Sequence, residues 1–267
     1  ASKIGRNPKK QETFIGTRAY LGEKSRRMQQ QRKNMERRQA RAIQEKKELL
    51  KNVETVESLK LFPLSYHSQR LVVLEQVSAC YGNPPIPVSE PVTMEIRNGD
   101  RICLRGKNGC GKSSLFRLIL GEQTEAAGKI WRGSGLKISY VSQDTSHLRG
   151  SLREYARAFQ VEEHLICALL RKLDFSREQL EKPLEALSQG QKKKVLIARS
   201  LCEQAHLYLW DEPLNYVDVY SRIQIEELIL KFQPTMVFVE HDAEFADRVA
   251  DQILMMNPAA GRSQIRY

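Results

Sequence analysis

The chain has 267 residues, 41% of them hydrophobic, with a formal net charge of +11. That is enough for one core of about 150 to 200 residues beside a less globular extension, and no stretch approaches the ~18 apolar residues of a membrane span. The start, ASKIGRNPKK, has neither the apolar segment of a secretory leader nor an initiator Met, so a cytoplasmic protein and a piece of a longer chain are expected. Cys80, Cys103, Cys110, Cys167 and Cys202 fall in no CxxC or metal-ligand spacing. They are expected to be buried thiols of a reducing cytosol, with no disulfide and no metal site.

The charge is uneven. Residues 1–60 hold 17 Lys and Arg against 7 Glu, and the rest hold 26 against 25. A block this basic faces either a polyanion or water. From about Phe14 to Leu59 there is no Pro and a wealth of helix formers, which predicts a long helix over 13–60 behind a short segment, 1–12. Leu21, Met28, Met35, Ala42, Leu49 and Val56 recur every seventh residue as one narrow apolar seam. Such a coiled-coil helix needs a partner helix, and none is evident in the sequence. Its other faces carry Arg26, Arg27, Arg32, Lys33, Arg37, Arg38 and Arg41, which suit phosphate contacts that position without reading sequence. Phe14 and Tyr20 are too few aromatics for base stacking. After Leu59, KLFPLSYHSQR with Pro63 reads as a junction.

From Arg70 the pattern turns to short apolar runs: RLVVLEQV, VTMEI, RICLRG, KIWRG, KISYVSQ, HLYLW, TMVFV and DQILMM, several separated by helical stretches. That is an α/β pattern. RICLRGKNGCGKSSLFRLIL runs an apolar strand into GKNGCGKS and out into a helix, the setting a P-loop requires. In it Gly106, Lys107, Asn108, Gly109, Cys110 and Gly111 offer backbone N–H groups to phosphates, Lys112 neutralises β/γ charge, Ser113 can ligate Mg2+, and Ser114 follows. Cys110 reads as a tolerated small residue rather than a redox switch. HLYLWDEP ends a strand on adjacent carboxylates: Asp211 for the metal's water shell and Glu212 to polarise an attacking water. Behind a P-loop that reading outweighs a simple strand cap. The next apolar strand, TMVFVEHD, ends on His241, placed to hold the γ-phosphate and the water. KISYVSQD puts Gln143 at another strand end, and LSQGQ opens a helix at Leu187.

Taken in order, the P-loop, the strand-end Gln, LSQGQ, LYLWDEP, LNYVD and the strand-end His resemble the ATP-binding-cassette ATPases over about Gln69 to Asp251. The resemblance implies a P-loop fold with a mixed sheet core, an antiparallel β subdomain and an α-helical signature subdomain, here preceded by the long basic helix. It implies ATP and Mg2+ as cofactors, Gln143 beside the metal and water, and Tyr81 stacked on adenine. It implies that Ser188, Gln189, Gly190 and Gln191 grip, from a helix N-terminus, the γ-phosphate held by a second cassette. Gln189 departs from the usual LSGGQ glycine and adds a side chain where the family's backbone approaches the nucleotide.

Among cassette proteins, a chromosome-maintenance ATPase would insert its coiled coil between P-loop and signature, yet only 43 residues separate Gln143 from Leu187. The basic helix directly before a cassette resembles instead the second half of the linker in ABC-F proteins, and FIGTRAYLGEKSRRMQQQRKN with LSQGQKKKV resembles antibiotic-resistance members of the Lsa and Vga type. That resemblance implies a linker-tip remnant over 1–12, a linker helix over 13–60 and a second cassette over 61–267. The implied partners are the missing first cassette and the ribosome, through rRNA and P-site tRNA, with protection from antibiotics or translation-factor work as the output. The ATP-binding subunit of a transporter stands as the alternative.

Overall fold

The computed structural model describes residues 63–122 and 126–259. Segment 1–12, the expected helix over 13–60 and all seven of its cationic candidates lie outside the described residues.

The apolar runs after Arg70 become strands, sorted by their pairing into two sheets. In the antiparallel one, β1 (Arg70–Tyr81) pairs with β3 (Val92–Arg97), β5 (Ala126–Arg132) and the two-residue β2 (Ile86–Pro87). The other sheet is parallel, in the order β6 (Ile138–Val141), β7 (Leu207–Asp211), β8 (Met236–Val239), β4 (Arg101–Gly106), β9 (Gln252–Met256). The α/β architecture is as expected, with the two strand senses segregated. Parallel neighbours need crossovers, and helices supply them: α1 (Lys112–Leu120) follows β4, while α2 (Leu152–Ala158), α3 (Glu163–Lys172) and α4 (Arg177–Glu181) form a helical insertion after β6. It leads into α5 (Gln189–Cys202); α6 (Val219–Phe232) and α7 (Ala243–Val249) complete the crossovers to β8 and β9. Ser151, Ser176 and Ser188 each start a helix with a complete capping box, their partners being Glu154, Gln179 and Gln191.

The inner strands are buried on both faces, so they are apolar throughout rather than alternating. Successive side chains still go to opposite sides. Leu207, Leu209, Val237, Val239, Ile102 and Leu104 pack with Leu115, Phe116 and Ile119 of α1 and with the antiparallel sheet. Tyr208, Trp210, Met236, Phe238 and Cys103 join the helical side, with Leu169, Leu196 and Ile225. The sheet is thus clamped between two cores, and the turns at its C-terminal edge have firm anchors.

None of the five cysteines is in a disulfide. Cys80, Cys103 and Cys110 are buried as expected, but Cys167 and Cys202 are only half-buried, because they lie at the margin of the helical core. Burial nevertheless pushes the Cys202 thiol up to about 12.

Leu104 is fully buried in β4, the strand that feeds the phosphate loop. Leu104→Ala is expected to lower the unfolding free energy by about 3 kcal/mol, measured as a fall in the urea midpoint.

Candidate active site

The C-terminal edge of a parallel sheet is where loops from several crossovers meet, and ligands bind there in α/β folds. An open cleft of about 510 Å³ lies at that edge. One wall comprises Asn108, Gly109, Gly111, Lys112, Ser113 and Ser114; facing them are Gln143, Glu212, Asn215 and His241.

The first wall is the turn from β4 into α1. Gly111 caps α1 with φ 94°, a left-handed conformation that costs glycine nothing. It brings no side chain to the N–H groups of the first helical turn. Those donors are left for an anion, and the helix dipole favours one there. Lys112 is buried, its Nζ donating to the carbonyls of Gly106 (2.9 Å) and Lys107 (3.1 Å). Weak carbonyl acceptors are what phosphate oxygens would displace. Tyr81, partly exposed, meets Ser114 through their hydroxyls at 2.9 Å, so it adjoins this wall without lining the cleft.

On the second wall β7 ends in Asp211 and Glu212. Asp211 is buried, and that burial raises its carboxyl above the ordinary range, opposed by a hydrogen bond from the Ser113 hydroxyl and by the Lys193 and Lys112 charges. A buried acid beside a hydroxyl is a pair of hard oxygen donors and fits a hard divalent cation such as Mg2+. Among the described residues no cluster of three or more His, Cys, Asp or Glu could hold a metal. A cation held here would therefore complete its shell with ligand oxygens and water.

Glu212 is the point where the loops converge. Its backbone is left-handed (φ 48°), and its N–H donates to the Val239 carbonyl at 3.2 Å. One carboxylate oxygen accepts from Gln143 Nε2 (2.9 Å) and Asn215 Nδ2 (2.7 Å); the other lies 3.2 Å from His241 Nε2. Such backbone strain in a bulky residue persists only where its surroundings over-determine it. Buried Glu240 helps: its carboxylate accepts from Leu214 N (3.3 Å) and His241 N (2.9 Å), tying together the loops that present Asn215 and His241.

Ser188, Gln189, Gly190 and Gln191 sit at the start of α5 and do not line this cleft. Ser188 Oγ accepts from Gln191 N at 3.3 Å while Ser188 N donates to the Gln191 side chain at 2.9 Å. The departure at Gln189 has a local partner: its side-chain oxygen accepts from Thr145 Oγ1 at 2.7 Å. Gly190 is required by proximity, since a Cβ there would stand 2.2 Å from the Tyr216 carbonyl oxygen. One turn on, buried Lys193 donates to the carbonyl of Ser142 at 3.0 Å. Burial holds its pKa below the ordinary lysine value, against the pull of Asp211 and Glu212.

Sequence reasoning named Gln143, Glu212 and His241, and these three meet. It missed Asn215, though LNYVD was recognised as a motif, because nothing in one sequence says which residue of a loop turns inward. It also missed Glu240, which directly follows the apolar run TMVFV, and Lys193, the middle of three consecutive lysines, because charged residues are ordinarily exposed and no local pattern marks these two as buried.

The ABC transporter family model matches residues 89–215. The ATP-binding protein Uup of Caulobacter vibrioides is 30% identical over 202 residues, 72% of this chain and 33% of that protein. Uup of Escherichia coli is 30% identical over 68% of this chain and 30% of its own length. The ribosome protection protein VmlR of Bacillus subtilis is 27% identical over 71% of this chain and 35% of its own. A solved ATP-binding subunit of an ABC transporter shares the fold at a TM-score of 0.61 and 23% identity, covering 70% of this chain and 86% of that one. The chain belongs to the ATP-binding-cassette ATPases, in their ABC-F branch. It spans about a third of the length of these curated relatives.

Gly190→Ala is expected to destabilise the fold by about 1 to 3 kcal/mol through overpacking against Tyr216. Thermal or urea unfolding measures it; an unchanged midpoint would mean that the loop at Tyr216 yields freely.

Proposed function

We propose that this chain is the second cassette of a tandem ABC-F protein, an Mg2+-dependent ATPase whose cycle drives binding to and release from the ribosome in the cytoplasm. In this reading 1–12 belongs to the linker tip, 13–60 is the linker helix, and 61–267 is the nucleotide-binding domain. The observation that carries the catalytic part is the convergence of Gln143, Asn215 and His241 on Glu212, across the cleft from Lys112.

ATP would lie with its phosphates along Gly106 to Lys112 and its adenine on Tyr81, whose hydroxyl already reaches Ser114 at the start of α1. Lys112 exchanges its loop carbonyls for β/γ oxygens. Ser113 and Asp211 would hold Mg2+, with Gln143 in its water shell, and the ion supplies neutralising charge on the phosphate oxygens. Glu212 accepts a proton from a water attacking the γ-phosphorus as the bond to the β–γ bridging oxygen breaks, giving ADP and phosphate. The Gln143 and Asn215 amides and His241 fix its orientation, and His241, which lines the cleft, would also donate towards the transferring phosphoryl group. Ser188 to Gln191, outside their own cleft, are free to serve a cleft on another cassette. In the complete site that other cassette returns the same contact.

The ribosome as partner is supported by the basic block in residues 1–60 and by a relative named as a ribosome protection protein. In the intact protein, Glu212→Gln together with the matching change in the other cassette is expected to co-sediment with ribosomes through sucrose when ATP is present. Lys112→Ala together with the matching change in the other cassette is expected to lose that dependence. Recovery with membranes instead of ribosomes would contradict the reading.

A further inference from the structure

Helix α5 carries two side chains, one turn apart, that reach the same short segment. Gln189 accepts from Thr145 Oγ1 at 2.7 Å, and Lys193 donates to the Ser142 carbonyl at 3.0 Å. Residues four apart lie on one face of a helix, so α5 holds segment 142–145 at both ends. Between those grips is Gln143, whose amide meets Glu212 at 2.9 Å. Lys193 Nζ is also 3.5 Å from the Asp211 carbonyl oxygen, so one buried ammonium group touches the segments bearing Gln143 and Glu212. Thr145 and Lys193 are both buried. An ammonium taken out of water this completely is costly unless its acceptors are fixed. The Ser142 carbonyl is such an acceptor, held where the strand has ended.

We propose that Lys193 is a positioning residue: with Gln189 it locks segment 142–145 to α5, and so sets the Gln143 amide against Glu212. The proposal rests on the ATPase reading above. It also couples the two ends of the cassette, because Gln189 lies in the signature that serves a second nucleotide while Gln143 serves the first. A shift of α5 at one site would move Gln143 at the other.

The test is steady-state ATP hydrolysis by the intact protein, with each substitution made in this cassette and hydrolysis in the other cassette silenced. Lys193→Met keeps length and removes the charge. It is expected to lower kcat about tenfold to a hundredfold, the size a misplaced catalytic group produces, with the KM for ATP within about threefold. In a Gln143→Ala background the same substitution is expected to cost less than about twofold, because its target is already gone. If thermal melting shows that Lys193→Met does not fold, Thr145→Val removes the other grip and is read in the same way. Parent-like kcat for the folded variant overturns the proposal. So does an equal loss with and without Gln143, which would mark a general structural effect. If the parent itself fails to hydrolyse ATP, the ATPase reading falls and takes this inference with it; activity in the parent with no effect of Lys193→Met sinks the inference alone.

Discussion

A carboxylate in a left-handed backbone conformation, met by one side chain of its own loop and two from other strand ends, is the constraint on which the rest of this cassette depends. Glu212 has φ 48° and is met by Gln143, Asn215 and His241. Non-glycine residues avoid this region, at a cost on the order of 1 kcal/mol or more. The offset comes from the parallel sheet. β7 and β8 are buried along their whole length, so Asp211 and Val239 are fixed neighbours, and the turn at Glu212 has no room to relax.

The same sheet accounts for the buried charge around the cleft. Asp211, Lys112, Lys193 and Glu240 are all buried, a set no core would contain for packing alone. Each charge has a partner of a particular kind: carbonyls for the two lysines, backbone N–H groups for Glu240, the Ser113 hydroxyl for Asp211. Burial pushes the Asp211 carboxyl above its ordinary range, and a cation would relieve it. Energy that a purely structural core would place in apolar contacts is here spent on a site whose stability depends on what binds.

Much of this was legible in the sequence. All eight apolar runs after Arg70 became strands: β7 and β8 are apolar end to end because they are buried on both faces, while β3 alternates buried and exposed residues as a one-sided strand does. The P-loop and the strand-end positions of Gln143, Glu212 and His241 followed from spacing, since parallel strands deliver their C-terminal residues to one edge. The two-residue β2 was not legible, being too short for any periodicity. Nor were the inward turn of Asn215, the bond between Gln189 and Thr145, or the burial of Lys193. These are contacts between residues 3 to 51 positions apart, decided by how loops fold back rather than by local pattern. Cys167 and Cys202 show the reverse error: residue type predicts burial, but position at the edge of a helical core leaves them half-exposed.

The central claim is that Glu212, oriented by its three neighbours, is the base for hydrolysis at a cleft that Lys112 prepares for ATP. The most direct measurement is single-turnover hydrolysis of radiolabelled ATP by the intact protein carrying Glu212→Gln in this cassette, with the other cassette's site silenced, beside equilibrium binding of the same nucleotide. Binding within about threefold of the parent with cleavage slowed by about a hundredfold or more is the expected result. Cleavage at the parental rate would contradict the assignment and move the base elsewhere in the cleft.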